Sequence, residues 1–225
     1  MYFDIASCQF SMHYMFQSET KVRNFLQNCT NKLVKGGYLV LSHPDANVIV
    51  RKLRDDQASY FDENLKCWVI DNKYYSIVCD RKDFKKADGW TGLVYGYFLT
   101  DNLVGFMTEK DGKEHMHYVP EYFVITSELV KIAKEYGLEL EETKNFHDFW
   151  AEEIKYGENR DLFTKRMKFD FDTKDEYIFK DKDLWDCSYI YRVLVFKKVK
   201  GDKEMKDVDR KIFKPKSYYK TFLQQ

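Results

Sequence analysis

Net charge is the first thing this 225-residue chain lacks, since 37 Lys and Arg balance 37 Asp and Glu. Whole-chain charge therefore predicts no nucleic-acid binding, and any such site must be local. Proline is scarce at three residues and glycine numbers only ten, which excludes a low-complexity linker. The five cysteines, Cys8, Cys29, Cys67, Cys79 and Cys187, are odd in number and form no C-x-x-C. They read as free thiols in a reducing compartment rather than as a disulfide framework or a zinc site. No apolar run reaches the roughly 20 residues a bilayer requires. A basic stretch followed by an apolar one is missing at the start, so no secretory signal is expected. These absences predict an intracellular soluble protein.

What is present is apolar and aromatic: 44% hydrophobic residues and 17% aromatic ones are enough for a sizeable core. Tyr2–Phe10 is a nearly unbroken apolar run, expected of a parallel strand buried on both faces. Val22, Phe25, Leu26, Cys29 and Leu33 then recur at helical spacing, and Gly36-Gly37 is expected to end that helix. Tyr38–Ser42 reads as a second buried strand, so the start predicts a βαβ unit. After a His43-Pro44-Asp45 turn, Ala46–Leu53 is expected to be a short helix. Residues 55–119 alternate between apolar and polar and are predicted to form an antiparallel insertion. Thr126 or Ser127 should cap a helix running to Tyr136, with Gly137 stopping it. Leu138–Glu141 predicts a short strand, 147–167 a mostly helical stretch, and Ser188–Val199 a strong strand. The stretch 200–225 carries eight Lys and Arg against four Asp and Glu and is expected to be a mobile tail.

The sum is an α/β chain with too few parallel strands. A parallel sheet needs helices on both faces and more strands than these to bury its surface. Met1 stands directly against the first apolar run, where a terminus normally has residues to spare. The expectation is an incomplete sheet, either because the reading begins too late or because another chain supplies the missing strands.

In open α/β sheets, ligands bind beyond the carboxyl ends of the strands. Gln9, His13 and Tyr14 crowd at such an end. The stretch F-D-I-A-S-C-Q-F-S-M-H-Y at 3–14, followed by K-G-G-Y-L-V-L-S-H-P-D at 35–45, resembles the second half of the mRNA cap guanine-N7 methyltransferases. In that family the fourth sheet strand ends in F-D-x-x-x-x-Q-F-x-x-H-Y. N-K-Y-Y-S-I at 72–77, V-P-E-Y-F-V at 119–124 and Y-I-Y-R-V-L-V-F at 189–196 match further family segments in order. The resemblance implies a class I (Rossmann-like) methyltransferase fold with an antiparallel β insertion at about 55–119. Residues 1–199 would be the C-terminal portion of the catalytic domain and 200–225 a charged tail. The family's glycine-rich D-x-G-C-G-x-G-G-type loop and the acidic ribose-binding residue have no counterpart here.

The resemblance also implies roles. Glu121 would accept the paired N–H groups of the cap guanine, a bidentate and charge-assisted contact. His13 and Tyr191 map onto cap-contacting positions. Gln9 and Tyr14 match positions facing S-adenosylmethionine, where the Tyr14 ring suits a sulfonium. Outside that context Glu121 reads as a solvated glutamate, His13 as a satisfied strand-end histidine and Tyr191 as a core tyrosine. Guanine N7 has a free lone pair, so no acid or base residue is nominated, and rate would come from orientation and charge placement.

The implied activity is transfer of methyl from S-adenosylmethionine to N7 of the cap guanine. Capped RNA would be the partner, alongside a missing N-terminal half or a capping-enzyme subunit, without a membrane. Two other readings stand beside it: a non-catalytic subunit of a capping methyltransferase, and a small-molecule class I methyltransferase. The nucleus is expected for a cellular protein, and the cytoplasm or virion for one from a large DNA virus. His115 and His117 share one strand face but lack further ligands, so no metal is expected. The lysine- and tyrosine-bearing stretch at 211–220 reads as a solvated tail.

Overall fold

A computed structural model describes residues 2–80, 89–100, 104–110, 112–166, 171–172 and 178–201. The 200–225 tail and its 211–220 stretch lie outside the described residues, apart from 200–201.

The first strand, β1 (Phe3–Gln9), runs into a 3-10 turn at Met12–Gln17 and then helix α1 (Glu19–Asn31). Ser18 caps α1, its Oγ accepting from Lys21 N at 3.4 Å, and Val22 and Leu26 face inward. Strand β2 (Leu33–Pro44) lies parallel to β1, completing the β-α-β unit. The helix stops at Asn31, earlier than Gly36-Gly37. Those glycines instead lie inside β2, at an irregularity where the register jumps from Phe3↔Leu33 to Ile5↔Tyr38. A Cβ on Gly37 would meet Asp4 O at 2.7 Å, so the two backbones approach more closely than any side chain permits.

Asp45 Oδ1 accepts from Asn47 N at 3.1 Å and caps α2 (Ala46–Arg54). Strands β3 (Tyr60–Asp62), β4 (Cys67–Asp71), β5 (Tyr75–Cys79), β6 (Val94–Leu99) and β9 (Val119–Tyr122) then form an antiparallel sheet in the order β3-β4-β5-β6-β9. A separate hairpin, β7 (Phe106–Lys110) and β8 (Lys113–His117), precedes β9. Helix α3 (Thr126–Glu135) leads to β10 (Leu138–Asn145), longer than the expected Leu138–Glu141 because a bulge at Leu140/Glu142 carries it past Glu141. Its N-cap position is Ile125, one residue before the expected caps Thr126 and Ser127, and no side chain caps it.

The expected helical stretch contains α4 (Phe146–Glu153), α5 (Gly157–Asp161) and a π turn at Leu162–Arg166. A two-residue ladder, β11 (Phe171–Asp172) and β12 (Ile178–Phe179), precedes a helix that the pattern did not announce, α6 (Lys182–Tyr189). Asp181 caps α6 by accepting from Asp183 N and Leu184 N. The strand expected from Ser188 therefore begins only at Tyr191, as β13 (Tyr191–Lys198).

The main sheet has the order β1-β2-β13-β10, with β13 antiparallel to both neighbours. One face packs on α1, the 3-10 turn and α3 through Leu39, Leu41, Leu194 and Phe196, all fully buried. The reading of β1 as buried on both faces is corrected here. Among the described residues β1 pairs only with β2, and Phe3 and Ile5 are 52% and 62% exposed. Ala6 and Cys8 pack against the core while Phe3 and Ile5 project from the opposite face. A second core under the antiparallel sheet joins Ile49 and Leu53 of α2 to Tyr75, Tyr95, Tyr97, Phe123 and Ile190. Among the described residues, no helix is long and apolar enough to cross a membrane.

Candidate guanine site

The two cores meet at the carboxyl ends of β1 and β2, and there a carboxylate is buried. Glu121 follows Pro120 on β9 and stands opposite Tyr95 in the ladder. Its exposure is 2%, not that of a solvated glutamate. Burying a carboxylate is costly unless hydrogen bonds replace water. Tyr95 Oη donates to Oε2 at 2.8 Å and Tyr14 Oη donates to Oε1 at 3.2 Å. His13 Nε2 lies 3.3 Å from Oε1, near enough for electrostatic contact but outside hydrogen-bond geometry. Both His13 ring nitrogens are thus buried without a hydrogen-bond partner.

The 3-10 turn after β1 places these groups. It buries Met12 and Phe16 in the core and turns His13 and Tyr14 toward β9, their rings 4.2 Å apart. Burial, with the Glu121 charge behind it, pushes the Tyr14 hydroxyl up to about 12. The Tyr95 hydroxyl is raised well above its ordinary value by the same two causes in the same order. Both phenols therefore stay protonated and donate to the carboxylate at neutral pH.

Tyr191 opens β13 beside this cluster. Its Oη is 2.8 Å from Tyr97 Oη, and burial raises its pKa. Phe10 packs edge-on against it at 5.0 Å and 86°. Phe10 holds φ +54 and is 49% exposed. A bulky residue in the left-handed region is strained. Two bonds hold it there, from Phe10 N to Ser42 O at 3.0 Å and to Ser42 Oγ at 3.1 Å.

Gln9 is not brought to this cluster. Its Nε2 donates to Ser7 Oγ at 2.9 Å and Val40 O at 3.2 Å. It lines a separate cavity of about 420 Å³ walled by Phe146, Trp150 and Trp185, with Glu153 at its edge. The cause is the strand alternation that turns Gln9 to the face opposite Cys8.

Several contributors were missed from the sequence. Tyr95 and Tyr97 sit in a strand that was recognised, but only cross-strand register puts them against Glu121 and Tyr191. His43 is fully buried, its Nδ1–H donating to Pro44 O at 2.8 Å, and burial holds its pKa down at about 4. Asp45 Oδ2 accepts from Arg192 Nε at 2.9 Å and ties the start of α2 to β13. The N-K-Y-Y segment braces the fold: Asn72 Nδ2 donates to Asp183 O and Tyr75 Oη to Asp186 Oδ2, joining the antiparallel sheet to α6. His117 is occupied by Thr108 Oγ1 at 2.8 Å and by a stacked Phe106 ring. Among the described residues, no group of three or more His, Cys, Asp or Glu could hold a metal.

Residues 1–199 match the family described as the mRNA (guanine-N(7))-methyltransferase domain. The mRNA cap guanine-N(7) methyltransferase 1 of Arabidopsis thaliana is 31% identical over 196 residues, covering 87% of this chain and 47% of that protein. The mRNA cap guanine-N(7) methyltransferase of Saccharomyces cerevisiae is 30% identical over 202 residues, covering 88% and 42%. The chain thus spans less than half the length of these relatives. Among solved structures, the CcbJ methyltransferase from Streptomyces caelestis overlays with a TM-score of 0.45 at 11% identity, covering 89% of this chain and 59% of that one.

Proposed function

The chain belongs to the mRNA (guanine-N7)-methyltransferase family, and from that premise we propose that it forms the guanine-binding part of a cap guanine-N7 methyltransferase. One observation carries this reading: a buried carboxylate with spare lone pairs beside a buried imidazole whose two nitrogens make no hydrogen bond. The Watson–Crick edge of guanine presents N1–H and N2–H donors next to the O6 acceptor. A carboxylate has about four lone-pair sites, and the two phenols use two of them. Glu121 can accept the guanine donors, and a His13 N–H can meet O6. Adenine offers the opposite pattern at that edge and would leave these groups unpaired.

Tyr191 and Phe10 would flank the base. Guanine N7 needs no proton removed before it attacks, so the residues here act by fixing the base in line with the methyl. The Glu121 carboxylate would lie beside the base as it takes up the positive charge that arrives with the methyl. S-adenosylmethionine, when bound, supplies the methyl as a sulfonium. Tyr14 is half-buried, and an aromatic ring of that kind would suit one flank of that donor. Gln9 reaches the same strand end from the other side.

The exposed face of β1 supports a partner reading. Phe3 and Ile5 each leave more than half of their surface in water, and the outer edge of β1 has no ladder among the described residues. Covering the exposed half of such side chains is worth about 1 kcal/mol each. A polypeptide carrying the donor-binding strands would pair there, whether this chain is the catalytic half or a supporting subunit.

Calorimetric titration with GTP and ATP tests the guanine reading. GTP should bind at least tenfold more tightly, and Glu121→Gln should erase the difference while retaining the fold. Equal binding of the two nucleotides overturns the proposal.

A further inference from the structure

Helix α2 carries a charged feature that the guanine site does not use. Asn47, Arg51 and Arg54 recur at i, i+4 and i+7, so they share one stripe, and all three are exposed. The opposite stripe, Ala46, Ile49 and Leu53, is buried in the second core. The exposed stripe lines an open cleft of about 500 Å³ whose other wall includes Ile125. Ile125 lies four residues beyond Glu121, and α2 starts at the Asp45 cap where β2 ends. The cleft therefore begins at the same edge of the fold as the guanine site.

The two guanidinium groups are prepared differently. Arg51 donates to Tyr189 Oη and lies 5.4 Å from the centre of that ring, which pre-orients its fork. Arg54 has no hydrogen-bond or ion-pair partner among the described residues, and the Asn47 side chain has none either. One carboxylate shares the cleft, Asp55, whose Oδ1 accepts from Gln57 N at 2.9 Å. Two arginines against one aspartate leave the lining positive in a chain whose overall charge is zero.

We propose that Asn47, Arg51 and Arg54 form a track for the phosphates of the RNA that follows the cap. The proposal rests on the guanine reading for its direction, and its chemistry is that of guanidinium forks meeting phosphate oxygens. The zero net charge means that the attraction is local, and Arg54 is the cation it would use first. The track holds the chain beyond the cap while Glu121 and His13 hold the base.

Fluorescence anisotropy on the full chain tests it with three probes: GpppG, a GpppG-capped RNA 10-mer and the same 10-mer uncapped. The capped 10-mer should bind more tightly than GpppG. Arg54→Ala should weaken both 10-mers about 2- to 5-fold at 0.1 M salt, as expected of an exposed ion pair. The slope of log affinity against log salt should fall by about 0.7 for each single-strand phosphate that is no longer neutralised. GpppG binding should not change, and Arg54→Lys should restore most of the slope. The track is overturned if the capped 10-mer binds no better than GpppG, if Arg54→Ala leaves the slope unchanged, or if it weakens GpppG equally. If both 10-mers bind through Arg54 while GpppG does not bind, the guanine reading fails and the track stands.

Discussion

Tyr95 and Glu121 face each other across the β6–β9 ladder, and the phenol of one donates at 2.8 Å to the buried carboxylate of the other. The pair explains how a glutamate can be 2% exposed in a chain without a surplus of positive charge. The Tyr95 and Tyr14 phenols are its hydrogen-bond donors, and they leave lone pairs of the carboxylate open to a ligand. A lysine or arginine in the same place would stabilise the carboxylate but compete with guanine for it.

Tyr95→Phe removes one of the two phenol donors to Glu121. The missing bond to a buried charged group should cost about 1.5–3 kcal/mol of stability, read as a lower urea midpoint at unchanged m-value. Affinity for GTP should fall in the same variant, because the carboxylate loses its fixed orientation. An unchanged GTP affinity would mean that Tyr95 serves only the fold.

Gly37→Ala places a Cβ 2.7 Å from Asp4 O and 3.0 Å from Val34 O. Both neighbours are backbone and cannot step aside as a side chain would. The variant should lose about 1–3 kcal/mol, with β1 the element released. Hydrogen exchange should show faster exchange at Ile5–Gln9 than in the parent chain, and equal rates would contradict this.

His43 makes stability depend on pH. Burial lowers its folded-state pKa to about 4 from the ordinary 6.5. The unfolded chain therefore binds the proton more readily, and stability rises with pH between those values. The contribution is fully present above pH 6.5 and is lost as pH falls toward 4, amounting to about 3 kcal/mol over that window. His43→Asn should flatten this part of the curve in thermal melts at about pH 7 and about pH 4.5. A variant with the parent's full slope would assign the effect to other groups.

Asp45 has two duties that substitution can separate. Asp45→Asn keeps a capping oxygen for Asn47 N but removes the charge that Arg192 meets at 2.9 Å. Asp45→Ala loses both. Breaking a buried pair costs about 3–5 kcal/mol, and the partly exposed Arg192 places this pair at or below the low end. The alanine variant should be less stable than the asparagine one by about 1 kcal/mol, the value of a cap. Equal denaturation midpoints for the two would show that the cap contributes nothing.

Much of the site is legible in the sequence. The Q-F-x-x-H-Y and V-P-E segments mark His13, Tyr14 and Glu121, and the structure brings those three together. Gln9, which the resemblance assigns to S-adenosylmethionine, lies on the other face of the sheet because side chains alternate along β1. Tyr95 and Arg192 were not singled out, because their importance is a cross-strand matter and their partners are 26 and 147 residues away.

By itself, the sequence determined what depends on local chemistry. Helical spacing placed α1, apolar runs placed β1 and β13 to within three residues and the centre of β2, and alternation announced the antiparallel sheet. Tertiary structure decided what depends on distant neighbours: that Gly36-Gly37 belong to a strand, that β1 is an open edge, and that Glu121 is buried. The reason is physical. Periodicity records which side of an element is apolar, whereas the burial of a charge depends on donors that the chain brings back from far away.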